Sequence, residues 1–452
     1  MQVTESFLQL LSVFSVVFTA PTFQTFTEIA SGWLISVRHR YVTEAIFSGG
    51  NVGNGHWSRY HRFFSHAAWD IDRFSMMLAK LVVTLLAPGA TMLWAIDDTL
   101  CRKRGLKLFG AGMHHDPLLS SKRHKVTNWG HDWVVLCVVL VSPFWARDKV
   151  FALPIAARLY RNRQGVTKGK KKATSQQSSA HHRTRPELAL ELIQMAQRWF
   201  PNDEIVLTGD SLYGGQSVLS KLPENVHLIS HVHPKGVLYE LPPEPTPGRK
   251  GRRRKKGERL PGLKDWARDR TRWQHLDFDQ FGLHAQLKVK VRERALYYTA
   301  GKDRPLKVVL TRDTKGDRPD HLFYCTKLDW DARQILSAYA TRWAIECTFE
   351  HCKQLLGFED PANRVPLAVQ RTAPMALYLY SLAIVWFHRT GHAEVQFPYR
   401  PWYRHKTQPS FADILTTLRR MSVEEKTGTA LWRHTKLQSI FAQITELLCR
   451  AG

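Results

Sequence analysis

Apolar and polar positions follow two rhythms along this chain. Up to about residue 85 the apolar positions recur at helical spacing, and Trp69 to Val83 sets Ile71, Phe74, Met77, Leu78 and Leu81 on one stripe. The largely apolar run Phe7 to Ala20 is too short to span a bilayer and is led by Glu5 with no Lys or Arg. It reads as a buried N-terminal helix rather than a secretory leader. Between these helices, His56 to Ser65 interleaves aromatic and basic side chains, a texture that suits either a DNA backbone contact or a helix packing its rings inward.

From Thr91 the rhythm shortens. Thr91 to Asp97, Trp133 to Val141 and Val150 to Ala156 read as three buried strands. Pro186 to Phe200 carries a helical stripe behind a Pro and a Glu in its first turn. Glu204 to Asp210 then gives a fourth strand, Gly214 to Leu222 a short helix and Val226 to Val232 a fifth strand. From about Pro234 to Asp329 the pattern is interrupted by a Pro/Gly-rich segment with strand-like runs at Leu287 to Ala300 and Leu306 to Thr311. A long helix over Asp331 to Leu356 and a very apolar one over Leu367 to Thr390 follow, and Arg371 marks the latter as a core helix rather than a membrane span.

Charge changes the picture. The 452 residues carry 65 Lys plus Arg against 39 Asp plus Glu, a formal excess of +26, which calls for a polyanionic partner: nucleic acid first, an anionic membrane surface second. Two stretches concentrate that charge. Arg158 to Arg185 holds nine Lys or Arg, among them Lys170, Lys171 and Lys172, and no acid; Arg249 to Lys256 includes Arg252, Arg253 and Arg254. Both are expected to lie on DNA phosphates. A hydrophobic fraction of 44% excludes a disordered tail protein, and six cysteines without a CxxC pair point to a reduced, intracellular protein with no structural zinc. No P-loop, no GxGxxG after a strand and no Ser/His/Asp ordering is present, and no repeat is visible.

The remaining chemistry rests on carboxylates. Asp98 lies at the mouth of the first strand and Asp210 at the end of the fourth, and a carboxylate at such a place must be solvated, hydrogen-bonded or metal-bound. On the helix Ala338 to Lys353, at about 100° per residue, Arg342, Glu346 and Lys353 fall at about 300°, 340° and 320° from Tyr339. Glu350 falls at about 20° on the same stripe, so the helix wheel does not choose between the two glutamates. Two aspartates and one glutamate suit two divalent ions about 3.5 to 4 Å apart, which activate an attacking oxygen and stabilise a leaving one in phosphodiester exchange.

The spacing Tyr339-x2-Arg342-x3-Glu346-x6-Lys353 resembles the YREK signature of DDE transposases encoded by bacterial insertion sequences, of the cut-and-paste type. The resemblance covers about residues 30 to 390 and implies an α/β fold: a ribonuclease H-like mixed sheet core with a strand-containing insertion before the last catalytic helix, plus helical N- and C-terminal regions. The boundaries expected are 1–88 for a helical, DNA-binding N-terminal region, 89–233 and 330–390 for the two parts of the core, 234–329 for the insertion and 391–452 for a C-terminal helical region. It also implies Asp98, Asp210 and Glu346 as the triad holding two Mg²⁺, with Mn²⁺ as a substitute, and Tyr339, Arg342 and Lys353 as phosphate contacts at the transposon end. Asp97 sits beside Asp98; strand neighbours face opposite sides, and the family pattern, in which the aspartate directly precedes Thr, selects Asp98. The family spacing likewise selects Glu346. Ser211-Leu212-Tyr213-Gly214 stands where relatives often carry a charged pair, so no supporting role transfers there.

The implied activity is metal-dependent cleavage at the element's terminal inverted repeats followed by attack of the freed 3′ hydroxyl on target DNA. The implied setting is the bacterial cytoplasm, nucleoid-associated, with a homodimer on paired ends and no membrane. Trp273 and Trp330 are candidates to stack on an unpaired base, and the apolar stretch Leu431 to Leu448 is a candidate dimer contact or core element. The competing readings are an inactive or domesticated DNA-binding repressor and a metal-dependent endonuclease without a joining step.

Overall fold

The computed structural model describes residues 3–86, 91–121, 123–163, 182–244, 253–281, 283–397, 401 and 404–431. Lys170, Lys171, Lys172, Arg252 and nearly all of the stretch Leu431 to Leu448 lie outside the described residues.

Helices α1 (Glu5–Leu11), α2 (Ala20–Ile35), α3 (Val42–Ser48), α4 (Ser58–Ser65) and α5 (Ile71–Leu86) precede the sheet. The single helix expected over Phe7 to Ala20 is instead α1, which buries Phe7, Leu10 and Leu11, followed by a 3-10 turn, Ser12–Val17, which buries Phe14 and Val17 and leaves Val13 and Val16 exposed. Aromatic rings hold this region together: Phe14 stacks on Phe74 with centroids 4.5 Å apart, and Phe18 on Phe26 at 5.0 Å. In α4, Tyr60, Phe63 and Phe64 are buried and Arg59 pairs with Glu28, so most of the interleaved rings face the core; Trp57 stays exposed.

Strands β1 (Met92–Arg102), β2 (Gly112–His115), β3 (Thr127–Val141) and β4 (Val150–Tyr160) come next. Then follow α6 (Arg185–Gln197), β5 (Ile205–Gly209), α7 (Gln216–Leu219) and β6 (Val226–His231). A capping box between Thr184 and Glu187 starts α6, satisfying two end groups of the helix reciprocally. β1 runs past the point where the sequence pattern ends it, because its antiparallel pairing with β3 continues to Arg102 against Gly130. Its parallel pairing with β5 stops at Ile96 against Gly209, and the aspartate pair follows immediately.

The segment 234–329 supplies α8 (Leu263–Arg268), β7 (Gln274–Gln280), β8 (Leu283–Leu296), α9 (Tyr298–Gly301), β9 (Pro305–Asp313) and β10 (His321–Cys325). Its strands extend the same sheet, in the order β2-β3-β1-β5-β6-β10-β9-β8-β7, with β4 also pairing with β3. The β4-β3-β1-β5-β6 portion, antiparallel then parallel, is the ribonuclease H-like core.

Helices α10 (Ala332–Ala340), α11 (Trp343–Leu356), α12 (Pro366–Arg389) and α13 (Phe411–Leu431) complete the described chain. The long helix expected over Asp331 to Leu356 is two helices. At the joint the backbone bonds tighten to three-residue spacing, Arg342 N to Tyr339 O at 3.0 Å and Ile345 N to Arg342 O at 3.0 Å, and the Thr341 hydroxyl takes the Ala338 carbonyl. α12 is buried almost throughout, and Arg371 spends its donors on the Ala67 and Trp69 carbonyls. Among the described residues no helix is long and apolar enough to cross a membrane.

Candidate active site

Alternation along β1 decides which groups meet. Paired residues on adjacent strands share a face. Asp98 opposes Val134 and Leu100 opposes Asp132, so Asp98 and Asp132 look to one side, while Asp97, opposite Val135, looks to the other. One step beyond the Ile96 and Gly209 pair brings Asp210 alongside Asp97. α11 packs on the Asp97 side and α6 on the Asp98 side, as their hydrogen bonds below record.

On the Asp97 side, Arg342 at the head of α11 joins two carboxylates. Its Nη1 donates to Asp97 Oδ2 at 2.7 Å and its Nη2 to Glu346 Oε1 at 2.9 Å. Burial pushes the Asp97 carboxyl up to about 7; Arg342 opposes that rise, and Asp98 and Asp210 add to it. The Glu346 side chain is 38% exposed. Asp210 turns its Oδ1 back to the Leu212 amide at 2.8 Å. Glu350 is exposed and accepts a bond from Gln354 at 3.1 Å, so of the two glutamates on the wheel it is Glu346 that Arg342 links to a strand carboxylate.

Asp98 faces away from this group. Its Oδ1 accepts the Tyr213 hydroxyl at 2.6 Å, and its Oδ2 lies 3.3 Å from Arg185 Nε. Arg185, the first residue of α6, also donates to Asp132 and lies over the Tyr160 ring. Burial, and next Asp132, push the Asp98 carboxyl up to about 6. The two carboxyls part because of the strand's twofold period: one step along β1 moves a side chain to the other face.

The other expected contacts sit as follows. Tyr339 packs its ring against His231 at 4.8 Å and Phe323 at 4.9 Å. Lys353 Nζ donates to the Leu100 carbonyl at 2.7 Å, fastening α11 to the end of β1. Arg253 and Arg254 are exposed. Arg158 pairs with Asp72 and Glu191, and Arg183 with Glu191, so those cations of the basic stretch are engaged within the protein. Lys290 and Arg312 already lie 4.8 and 4.7 Å from the Trp273 ring centre, which removes that ring as a free stacking platform. Trp330 is partly buried against a core cluster. Trp343, beside Arg342, is 62% exposed.

The donor set Asp97, Asp210 and Glu346 is all carboxylate oxygen, the chemistry that Mg²⁺ or Mn²⁺ prefers. Among the described residues no three ligating side chains converge closely enough to hold an ion as they stand. The Arg342 guanidinium occupies the place between Asp97 and Glu346 and balances their charge.

Of the residues brought together here, sequence reading singled out Asp98, Asp210, Glu346 and Arg342 and noted Asp97 beside Asp98. It did not single out Tyr213, Arg185 or Asp132. Carrying the alternation from Asp97 to the paired strands was the available signal for Asp97; nothing local marks Tyr213.

Comparison with protein families matches residues 49–300, more than half of the 452-residue chain, to the family described as DDE superfamily endonuclease. The matched region includes β1 and β5 with Asp97, Asp98 and Asp210, and ends before Glu346. No curated protein matches the chain.

Proposed function

The chain belongs to the DDE superfamily endonucleases, and from that premise we propose that it is the transposase of an insertion sequence, cutting DNA at the element's ends and joining the 3′ ends to a target. The observation that carries this reading is the Arg342 bridge between Asp97 and Glu346, with Asp210 one register step away at the end of a parallel strand.

In this reading Asp97, Asp210 and Glu346 hold divalent ions. Bound there, the ions supply Lewis acidity and a deprotonated water or 3′ hydroxyl for an in-line phosphodiester displacement. The chain's own groups do the rest. Asp97 would serve as a carboxylate ligand, and Arg342, no longer needed to balance the carboxylates' charge, would be placed to meet a phosphate of the cleaved strand. Arg253 and Arg254, exposed and with no acidic partner among the described residues, contribute to the backbone contact that a +26 chain makes with DNA, as do Lys170, Lys171, Lys172 and Arg252. Tyr339 and Lys353 frame that contact by fixing α10 and α11 to the sheet.

The test places the native locus and its flanks on a plasmid and follows excision and target joining by wild type, Glu346→Gln and Glu350→Gln. The expected outcome is excision and joining by wild type and Glu350→Gln, with both lost in Glu346→Gln. Cleavage without joining assigns the plain endonuclease instead, and binding of the flanks without cleavage assigns the repressor.

A further inference from the structure

Asp210 is carried on a tight turn that is held from three strands. The Asp210 carbonyl accepts the Ser230 hydroxyl of β6 at 2.8 Å as well as the Gly214 amide at 3.1 Å. The Gly214 carbonyl accepts the Tyr324 hydroxyl of β10 at 2.8 Å. The third tie is the Tyr213 hydroxyl, which crosses to Asp98 on β1 at 2.6 Å. Ser230, Tyr213 and Tyr324 are all fully buried. Gly214 is where the turn passes closest to its ties: a Cβ there would collide with the Ser230 hydroxyl and stand 2.8 Å from the Tyr324 hydroxyl.

We infer that Asp98 is a positioning residue, whose hydrogen bond from Tyr213 sets the turn bearing Asp210 against the strand bearing Asp97. Asp98 is adjacent to Asp97 in β1 and Tyr213 is three residues after Asp210, so one bond spans the two strands that carry the aspartates of the site. The far oxygen of Asp98 rests on Arg185, which is itself held by Asp132, so the acceptor is anchored from behind. A brace of this kind holds donors at fixed separation without touching the ion, and loss of such an outer partner costs about tenfold or more in metal affinity. The inference rests on the reading of Asp97, Asp210 and Glu346 as the ligands.

The test is Mn²⁺ binding to the full chain without DNA, followed by calorimetry and by the ion's magnetic resonance signal. Tyr213→Phe, which keeps the buried ring, and Asp98→Ala are each expected to weaken binding about tenfold. The double variant is expected to bind no more weakly than either single one. Asp98→Asn keeps an acceptor oxygen for Tyr213 and is expected to stay within about twofold of wild type by the same reasoning. Equal binding by Tyr213→Phe and wild type overturns the inference, as does equal loss in Asp98→Asn and Asp98→Ala, the pattern of a direct ligand. Absence of Mn²⁺ binding in wild type overturns the ligand reading itself, and the brace with it.

Discussion

Asp97 and Asp98 are sequence neighbours on one strand, and both carboxyls are held above the usual carboxylate range by burial, yet they belong to two unlike places. On the Asp97 face a single guanidinium joins two carboxylates, and Glu346 remains 38% exposed. On the Asp98 face the neighbouring Asp132 is 1% exposed and is closed in by Arg185, with His114 3.5 Å away and Tyr160 under the guanidinium. In the proposed reading the first face supplies the ion's donors and the second braces it; the two aspartates themselves differ little in exposure, 16% for the Asp97 side chain and 25% for that of Asp98. A buried carboxylate near an arginine is therefore no sign of a catalytic role by itself, and what separates the two is the link through Arg342 to the half-exposed Glu346.

The largest stability effect that sharpens this contrast comes from removing the two arginines in turn. Without divalent ions, Arg342→Gln and Arg185→Gln are each expected to cost about 3 kcal/mol in denaturant unfolding, because each takes the cationic partner from a buried carboxylate. Saturating Mg²⁺ is expected to restore on the order of 2 to 3 kcal/mol to Arg342→Gln and nothing to Arg185→Gln, since an ion stabilises only the face that binds it. Mg²⁺ rescue of Arg185→Gln alone would exchange the two faces.

A smaller effect follows from His114 on the Asp98 face, which burial, and next Arg185, hold down at about 4 from the usual 6.5. Between those values the unfolded chain binds the extra proton and the folded chain does not. The contribution of neutral His114 is thus complete above about pH 6.5 and is lost as pH falls toward 4. His114→Gln is expected to flatten that decline by on the order of 2 kcal/mol in unfolding measurements at pH 4 and 7, with Mn²⁺ affinity at pH 7 unchanged. A change in Mn²⁺ affinity would join the two faces into one site.

Much of this architecture was legible in the chain. Buried strands of the parallel core announce themselves as continuous apolar runs, and β5, β6 and α6 fall within a few residues of where those runs and the Pro186 and Glu187 turn put them. β2, β7 and β10 were not legible: Gly112 to His115, Gln274 to Gln280 and His321 to Cys325 are short or polar, and become strands by pairing with longer neighbours. The break at Thr341 and Arg342 leaves no Pro or Gly to mark it. In the site, Glu346 and Asp210 followed from spacing and strand ends. Which of Asp97 and Asp98 stands beside Asp210 follows from the register with β5, a long-range fact that no local pattern carries.

The most direct test of the account compares single-turnover cleavage of end DNA by Asp97→Asn and Asp98→Asn over a range of Mg²⁺ concentrations. The account predicts that Asp97→Asn loses cleavage by at least about a thousandfold at every concentration, as removal of a group acting on the transition state does, while Asp98→Asn stays within about tenfold of wild type. Loss of cleavage in Asp98→Asn with activity retained in Asp97→Asn would contradict it.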